Sequence, residues 1–176
     1  MEYVILVDER DRALGLMEKL EAHRQGVLHR AISVLIFNDR QELLLQRRAL
    51  GKYHSPGLWT NSCCSHPRDG EATLEAGTRR LKEEMGISAS LEPLFHFTYR
   101  AEFDNGLIEH ELDHVLVGRS NQLPQLNHEE AIDFEYLSLE AIRKEIASKP
   151  EQFTPWFRIL MEEHFEPLNR YACALQ

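Results

Sequence analysis

The chain has 176 residues, which suits one domain around one hydrophobic core, so we expect a single domain over 1–176. A net charge of −9 disfavours a general nucleic-acid-binding protein, because such proteins more often carry a basic surface. Apolar runs are short, so no membrane span is expected, and an odd count of three cysteines favours reduced thiols in a cytoplasmic protein.

The predicted elements mix strands and helices without strict alternation. From the N-terminus we predict a strand at 3–7, a turn at 8–15, strands at 31–37 and 42–46, and an irregular segment at 51–70. A helix at 71–85 ends at Gly86, and strands at 94–103 and 107–117 flank a hairpin turn. A strand at 134–137 and helices at 139–147 and 155–164, the last being the final helix, complete the prediction. This order favours an α+β class built as an α/β/α sandwich.

The helix at 71–85 has one apolar stripe that we expect to pack on the sheet, formed by Leu74, Gly77, Leu81 and Met85. Arg80 and Glu84 lie four residues apart on the border of this stripe. From the helix alone, a surface ion pair is the favoured interpretation. The alternative is that the guanidinium and the carboxylate point into a cleft beside the sheet.

The strand at 107–117 carries three acids on one face, because strand side chains alternate with a period of two: Glu109, Glu111 and Asp113. Neighbouring carboxylates repel each other unless a cation or a proton lies between them. The opposite face, with His110, Leu112 and His114, is not a clean core face. The pattern therefore leaves two interpretations open, a solvated outer face or a metal held between Glu109 and Glu111.

Other polar groups carry weaker signals. Cys64 and His66 are two residues apart and suit a nucleophile and base, a general acid, metal ligands, or a buried thiol in a tight loop. His23 and His29 flank a possible turn at Gly26, and two exposed histidines would be the ordinary interpretation. Basic residues that would form an anion site if they converged are Lys19, Arg47, Arg48, Lys52, Arg79 and Arg80.

The stretch 65–87 resembles a Nudix box, matching that motif at Glu71, Arg79, Glu83, Glu84 and Gly86. Two positions depart from the motif. Ser65 stands where the box opens with glycine, and Arg80 stands where a metal-binding glutamate follows the arginine. A cation in place of that carboxylate argues against ordinary pyrophosphate hydrolysis.

From about Val4 to the last helix, the chain resembles the type 1 isopentenyl diphosphate isomerases, which carry the Nudix fold. The tracts that carry the resemblance are LLLQRRAL at 43–50, GLWTNSCCSHP at 57–67, the Glu-His-Glu strand at 109–111 and FTPWF at 153–157. The resemblance implies a Nudix-like α/β/α sandwich with a mixed sheet and the Nudix helix at about 71–85. It also implies interconversion of isopentenyl and dimethylallyl diphosphate through a tertiary carbocation. Residues 1–30 are a possible lid over the active site.

The same resemblance implies one divalent metal, Mn²⁺, Mg²⁺ or Zn²⁺, with five ligands: His23, His29, His66, Glu109 and Glu111. Cys64 and Glu111 would be the catalytic pair, with Tyr99 supporting Glu111, and the order of proton transfer stays open. Glu84 would hold a second ion, Mg²⁺, together with the substrate diphosphate and near the Cys64 carbonyl.

The substrate itself would be a small-molecule prenyl diphosphate. By resemblance, its diphosphate would be neutralised by Lys19, Arg48, Lys52 and Arg80, and Trp156 would line its hydrocarbon end. We expect no nucleic-acid or membrane partner, and a monomer or weak homodimer. Two other classes compete with the isomerase: a Nudix hydrolase, which Arg80 disfavours, and a binding protein that keeps the fold without catalysis.

Overall fold

A mixed β-sheet forms the centre of the computed structural model, which describes residues 2–175. Within those residues the sheet has nine strands: β1 (Tyr3–Val7), β2 (Ala13–Glu18), β3 (His29–Phe37), β4 (Glu42–Arg48), β5 (Trp59–Thr60), β6 (Cys63–Ser65), β7 (Leu91–Glu102), β8 (Ile108–Arg119) and β9 (Ala131–Ser138). The helices are α1 (Lys19–Gln25), α2 (Thr73–Met85), α3 (Leu139–Ser148), α4 (Pro155–Glu163) and α5 (Phe165–Cys173), with a 3₁₀ turn at Pro150–Gln152.

Helices cover both faces of this sheet, so the α+β class and the α/β/α sandwich are confirmed. Leu35 and Phe37 of β3 face a core shared with α3, α4 and α5. Val34 and Ile36 of the same strand face a second core under α2. The period of two along β3 thus divides its apolar side chains between two layers.

Pairing around β3 brings distant segments together. β8 runs parallel to β3, with Glu111 opposite His29. On the other edge of β3, β6 pairs antiparallel and sets Cys64 opposite Ser33. β7 joins β8 from outside, with Tyr99 opposite Glu111. These registers gather the polar groups at one end of the sheet.

Several local predictions were wrong. The predicted turn at 8–15 gives way at Ala13 to β2, whose exposed residues carry no burial signal and which is held by backbone pairing to β1. The irregular segment 51–70 contains β5 and β6, which are too short to show a side-chain period. A further helix, α5, follows the one predicted to be last.

The Nudix helix begins at Thr73 rather than at residue 71, because Glu71 belongs to the preceding loop and its side chain hydrogen-bonds there. Its carboxylate accepts hydrogen bonds from the Arg68 amide and from Arg79. Gly86 ends the helix in the left-handed region at φ 67°, as predicted. Leu74 does not join the core, since 37% of it is exposed.

Among residues 2–175, no helix is both long enough and apolar enough to cross a membrane.

Candidate active site and metal centre

The acidic face of β8 points inward. Glu109, Glu111 and Asp113 are all buried, so the solvated outer face is the wrong interpretation. Tyr99 lies between the first two: its hydroxyl oxygen is 2.6 Å from Oε2 of Glu109 and 2.6 Å from Oε2 of Glu111. A hydroxyl has one proton, so it donates to one carboxylate at a time. Burial and the two carboxylates raise the pKa of Tyr99 well above its ordinary value, which keeps the donor proton in place.

His23 and His29 are buried beside these acids, which corrects the expectation of two exposed histidines. Gly26 ends α1 in a left-handed conformation and turns the chain between them. Nδ1 of His23 donates to the Lys19 carbonyl at 2.7 Å, and Nδ1 of His29 donates to the Val27 carbonyl at 2.8 Å. Each hydrogen bond to a backbone carbonyl fixes the imidazole ring so that its Nε2 faces the carboxylates.

The distances to those carboxylates are short. Nε2 of His66 lies 2.9 Å from Oε1 of Glu111, and Nε2 of His29 lies 3.5 Å from the same oxygen. Nε2 of His23 lies 3.9 Å from Oε1 of Glu109. Burial raises the pKa of Glu111, but the close imidazoles of His29 and His66 outweigh it and hold that pKa well below its ordinary value.

This cluster fits a divalent cation. Nε2 of His23 and of His29 are buried without a hydrogen-bond partner, which is costly unless something else binds them. Burial and the nearby His66 lower the pKa of His23 to about 4, so its ring is neutral at pH 7, as a metal ligand must be. Ligand atoms within 4.8 Å of one another come from His23, His29, His66 and Glu111, and a second such set from His23, His54 and Glu109. Imidazole nitrogen and carboxylate oxygen are ordinary donors for divalent ions.

Cys64 reaches the same cavity from β6. Its Sγ lies 3.0 Å from Oδ1 of Asn61, to which it donates, and Nε1 of Trp156 donates to it at 3.2 Å. Burial raises the pKa of Cys64 to about 12, so the group is a thiol at neutral pH. Cys63 points to the other side of β6, into the core beneath α2. The two adjacent thiols therefore occupy different environments, and only Cys64 lines the cavity.

Arg80 and Glu84 also belong to this region, and the surface ion pair is the wrong interpretation. Glu84 is 3% exposed; one oxygen accepts from Arg80 at 2.7 Å and the other from Gln46 at 2.9 Å. Burial lowers the pKa of Arg80, but Glu84 and Glu130 outweigh it and raise that pKa, so the guanidinium stays charged.

The predicted diphosphate-binding cations converge. One cavity of about 100 Å³ is lined by Lys19, Arg48, Lys52 and Arg80 together with Cys64, Tyr99, Glu109, Glu111, His66 and Trp156. Arg47 is exposed and donates instead to the Gly57 carbonyl, outside this cavity. Arg79 is bonded to Glu71.

Carboxylates already balance most of these cations. Lys19 pairs with Glu2 and Lys52 pairs with Glu130. Glu130 also accepts from Arg80 at 3.0 Å. Arg48 instead lies over the Trp156 ring, 5.2 Å from its centroid.

Three residues at this site were missed by sequence reasoning: Gln46, His54 and Glu130. Gln46 could have been noticed as a polar residue on the buried strand β4. His54 and Glu130 lie in segments without periodicity, so no pattern marks them. Their positions follow from tertiary contacts.

Comparison with known proteins finds similarity to a domain family, to whole proteins and to a solved structure. A NUDIX domain model matches residues 27–157. The isopentenyl-diphosphate Delta-isomerase of Pectobacterium atrosepticum is 57% identical over 89% of this chain and 87% of its own length. The protein of the same name from Photobacterium profundum is 53% identical, covering 89% of this chain and 90% of its own length. Among solved structures, DR0079 from Deinococcus radiodurans superposes with a TM-score of 0.77 at 23% identity, covering 92% of this chain and 98% of that one, a likeness of fold alone.

Proposed function

The chain belongs to the NUDIX-domain isopentenyl-diphosphate Delta-isomerases, and from that premise we propose that it interconverts isopentenyl diphosphate and dimethylallyl diphosphate. The observation that carries the proposal is that Cys64 and Glu111 line one cavity from strands on opposite edges of β3. A proton added to the terminal alkene carbon leaves a tertiary carbocation. Loss of a proton from the allylic carbon then forms the new double bond, with no net change in atoms or electrons.

Two titratable groups in different environments suit this pair of proton transfers. Cys64 is held as a thiol, whereas Glu111 is held as a carboxylate by His29 and His66. One group gives a proton and the other takes one, and Tyr99 supports Glu111 through its hydroxyl. The indole N–H of Trp156 donates to Sγ of Cys64, so the ring lies beside the proposed catalytic thiol. Its π-face would stabilise the carbocation by roughly 2 kcal/mol when desolvated.

The residues that would hold a divalent ion, which we propose to be Mn²⁺, Mg²⁺ or Zn²⁺, are His23, His29, His66, Glu109 and Glu111. Such an ion would supply a fixed positive charge that keeps Glu111 oriented and lowers its proton affinity. Glu84, with the Cys64 carbonyl nearby, would hold Mg²⁺ together with the substrate diphosphate. The buried, unpartnered nitrogens of His23 and His29 support the first site.

The diphosphate would be bound by Lys19, Arg48, Lys52 and Arg80. In this structure Glu130 accepts from both Lys52 and Arg80, so we propose that the diphosphate replaces it as their acceptor. Binding energy at this remote group can then hold the hydrocarbon end in place and exclude water, which would quench the carbocation.

We further propose one domain over 1–176, acting as a monomer or weak homodimer in the cytoplasm on a small prenyl diphosphate, without nucleic-acid or membrane partners. Residues 1–30 would act as a lid, since Lys19 and His23 both belong to that segment. Protease cleavage within 1–30 should slow when metal and substrate are added together. Cleavage at an unchanged rate would refute the lid.

The proposed function is tested by incubating the purified chain with isopentenyl diphosphate, Mg²⁺ and Mn²⁺ and following the methyl signals of the product by proton NMR. We expect Cys64→Ala to lose about 10²–10⁴-fold in rate, the usual contribution of a general acid or base. Cys63→Ala is the matched control, because its thiol points away from the cavity. Wild-type activity in Cys64→Ala would refute the mechanism, and phosphate or pyrophosphate release would favour a hydrolase.

A further inference from the structure

His54 lines the cavity but takes no part in the proposed proton transfers. It lies in the loop between β4 and β5 and is only 6% exposed. Its Nε2 lies 2.9 Å from Oε1 of Glu109. At this distance the imidazole pairs with the carboxylate, which is an acceptor and not a donor when it is ionised.

The loop holds this ring in a fixed place. Ser55 adopts the left-handed region at φ 48°, uncommon for a residue with a Cβ. Arg48 stabilises the turn, because its Nη2 donates to the His54 carbonyl at 3.2 Å and its Nε donates to the Ser55 carbonyl at 3.2 Å. The backbone of His54 is thereby tied to a residue that lines the cavity.

Aromatic side chains fix the orientation of the ring as well. Phe103 stacks on it with centroids 5.0 Å apart and planes 21° apart. Trp156 meets it edge-on at 5.6 Å and 88°. A ring held on a face and at an edge cannot easily turn its Nε2 away from Glu109.

Glu109 is therefore held at both oxygens. Oε2 lies within hydrogen-bond distance of the Tyr99 hydroxyl, and Oε1 lies 2.9 Å from Nε2 of His54. His23 points its unpartnered Nε2 at the same Oε1 from 3.9 Å. Without His54, Oε1 of Glu109 would lose this close partner and the carboxylate could rotate away from His23.

We propose that His54 is a positioning residue, whose Nε2 pairs with Oε1 of Glu109 and so fixes that carboxylate for divalent-metal binding. Its effect on turnover rests on the proposed function, whereas its effect on metal affinity does not. Removing the partner that orients a metal ligand typically weakens metal binding about 10–100-fold.

The test is Mn²⁺ affinity, measured by electron paramagnetic resonance of free Mn²⁺ in titrations of the chelator-treated full chain. His54→Phe keeps a ring for stacking but has no donor. Gln and Asn place an amide near the positions of Nε2 and Nδ1, respectively, so only His54→Gln can still donate to Glu109. His96→Gln is the control, because His96 is exposed and on the opposite face of β7 from Tyr99.

We expect Mn²⁺ binding to weaken about 10–100-fold in His54→Phe and His54→Asn, and to stay within about 3-fold of wild type in His54→Gln and His96→Gln. Equal affinity in all four variants would overturn the proposal. Circular dichroism checks folding; if His54→Phe does not fold, equal affinities of the Gln and Asn variants would still overturn it.

The two proposals fail separately. A wild-type chain that does not isomerise the substrate, with the Mn²⁺ affinities ordered as expected, would refute the proposed function and support the role of His54. A wild-type chain that isomerises the substrate, with equal Mn²⁺ affinities in all four variants, would support the proposed function and refute the role of His54.

Discussion

Replacing Arg80 by Met should destabilise the protein, because Glu84 would be left buried with a single donor. Arg80 lies 2.7 Å from Oε1 of Glu84, and only the Gln46 amide contacts the other oxygen. The side chains are 17% and 5% exposed, so solvent screens this pair weakly. Met is unbranched and a good helix former, so the substitution tests charge rather than helix propensity.

The magnitude follows from that burial. Removing one partner of a buried ion pair costs about 3–5 kcal/mol, and the partial exposure of Arg80 reduces our expectation to about 2–4 kcal/mol. For a chain of this size each kcal/mol lowers the melting temperature by about 2–4 °C, so a fall of about 4–16 °C is expected.

The assay is urea unfolding of wild type and variant in chelator at pH 7. Arg119→Met is the matched control: Arg119 pairs with Asp39, but the side chains are 48% and 53% exposed, so a change below about 0.5 kcal/mol is expected. A loss below about 1 kcal/mol in Arg80→Met would show that buried Glu84 does not depend on this cation.

Three further predictions concern the ion pairs and the metal. Glu130→Gln should bind pyrophosphate about 5-fold more tightly by calorimetry, because Glu130 would no longer compete with pyrophosphate for Lys52 and Arg80 through two partly exposed ion pairs. Unchanged or weaker binding would count against this competition. Burial raises the pKa of Glu130, but Lys52 and Arg80 outweigh it and lower it from 4.5 to about 2. The stability that Glu130 adds over Gln, measured by urea unfolding, should therefore be full above pH 4.5 and shrink as the pH falls toward 2; a difference that grows on acidification would contradict this. Mn²⁺ at 100 times its dissociation constant should stabilise wild type over the chelated form by about 2.7 kcal/mol, and an unchanged melting temperature would argue against the metal centre.

Regular patterns in the sequence predicted much of the fold. The β-branched run of β3 predicted a strand, the apolar stripe of α2 predicted a helix that packs on the sheet, and Gly86 marked the end of that helix. Short or exposed elements escaped prediction, since β6 owes its place to backbone pairing with β3. Side-chain periodicity cannot report such a contact.

Site residues that belong to a recognisable motif were predictable from the sequence. Site residues that depend on contacts between distant segments were not. The resemblance assigned Glu84, but the helix pattern alone favoured the surface, because burial of Glu84 depends on Gln46 from β4. Glu130 reaches Lys52 only because β9 pairs with β4, setting Ala131 opposite Arg48. No local sequence pattern predicts that Glu130 lies beside Lys52.

Running the reaction in deuterium oxide tests whether the chain isomerises isopentenyl diphosphate by adding one proton and removing another. Proton and deuterium NMR would follow the substrate with Mg²⁺ and Mn²⁺, and in parallel with chelator. We expect dimethylallyl diphosphate that carries deuterium in a methyl group, formed with metal and not after chelation. Conversion without deuterium, or release of phosphate in place of isomerisation, would contradict it.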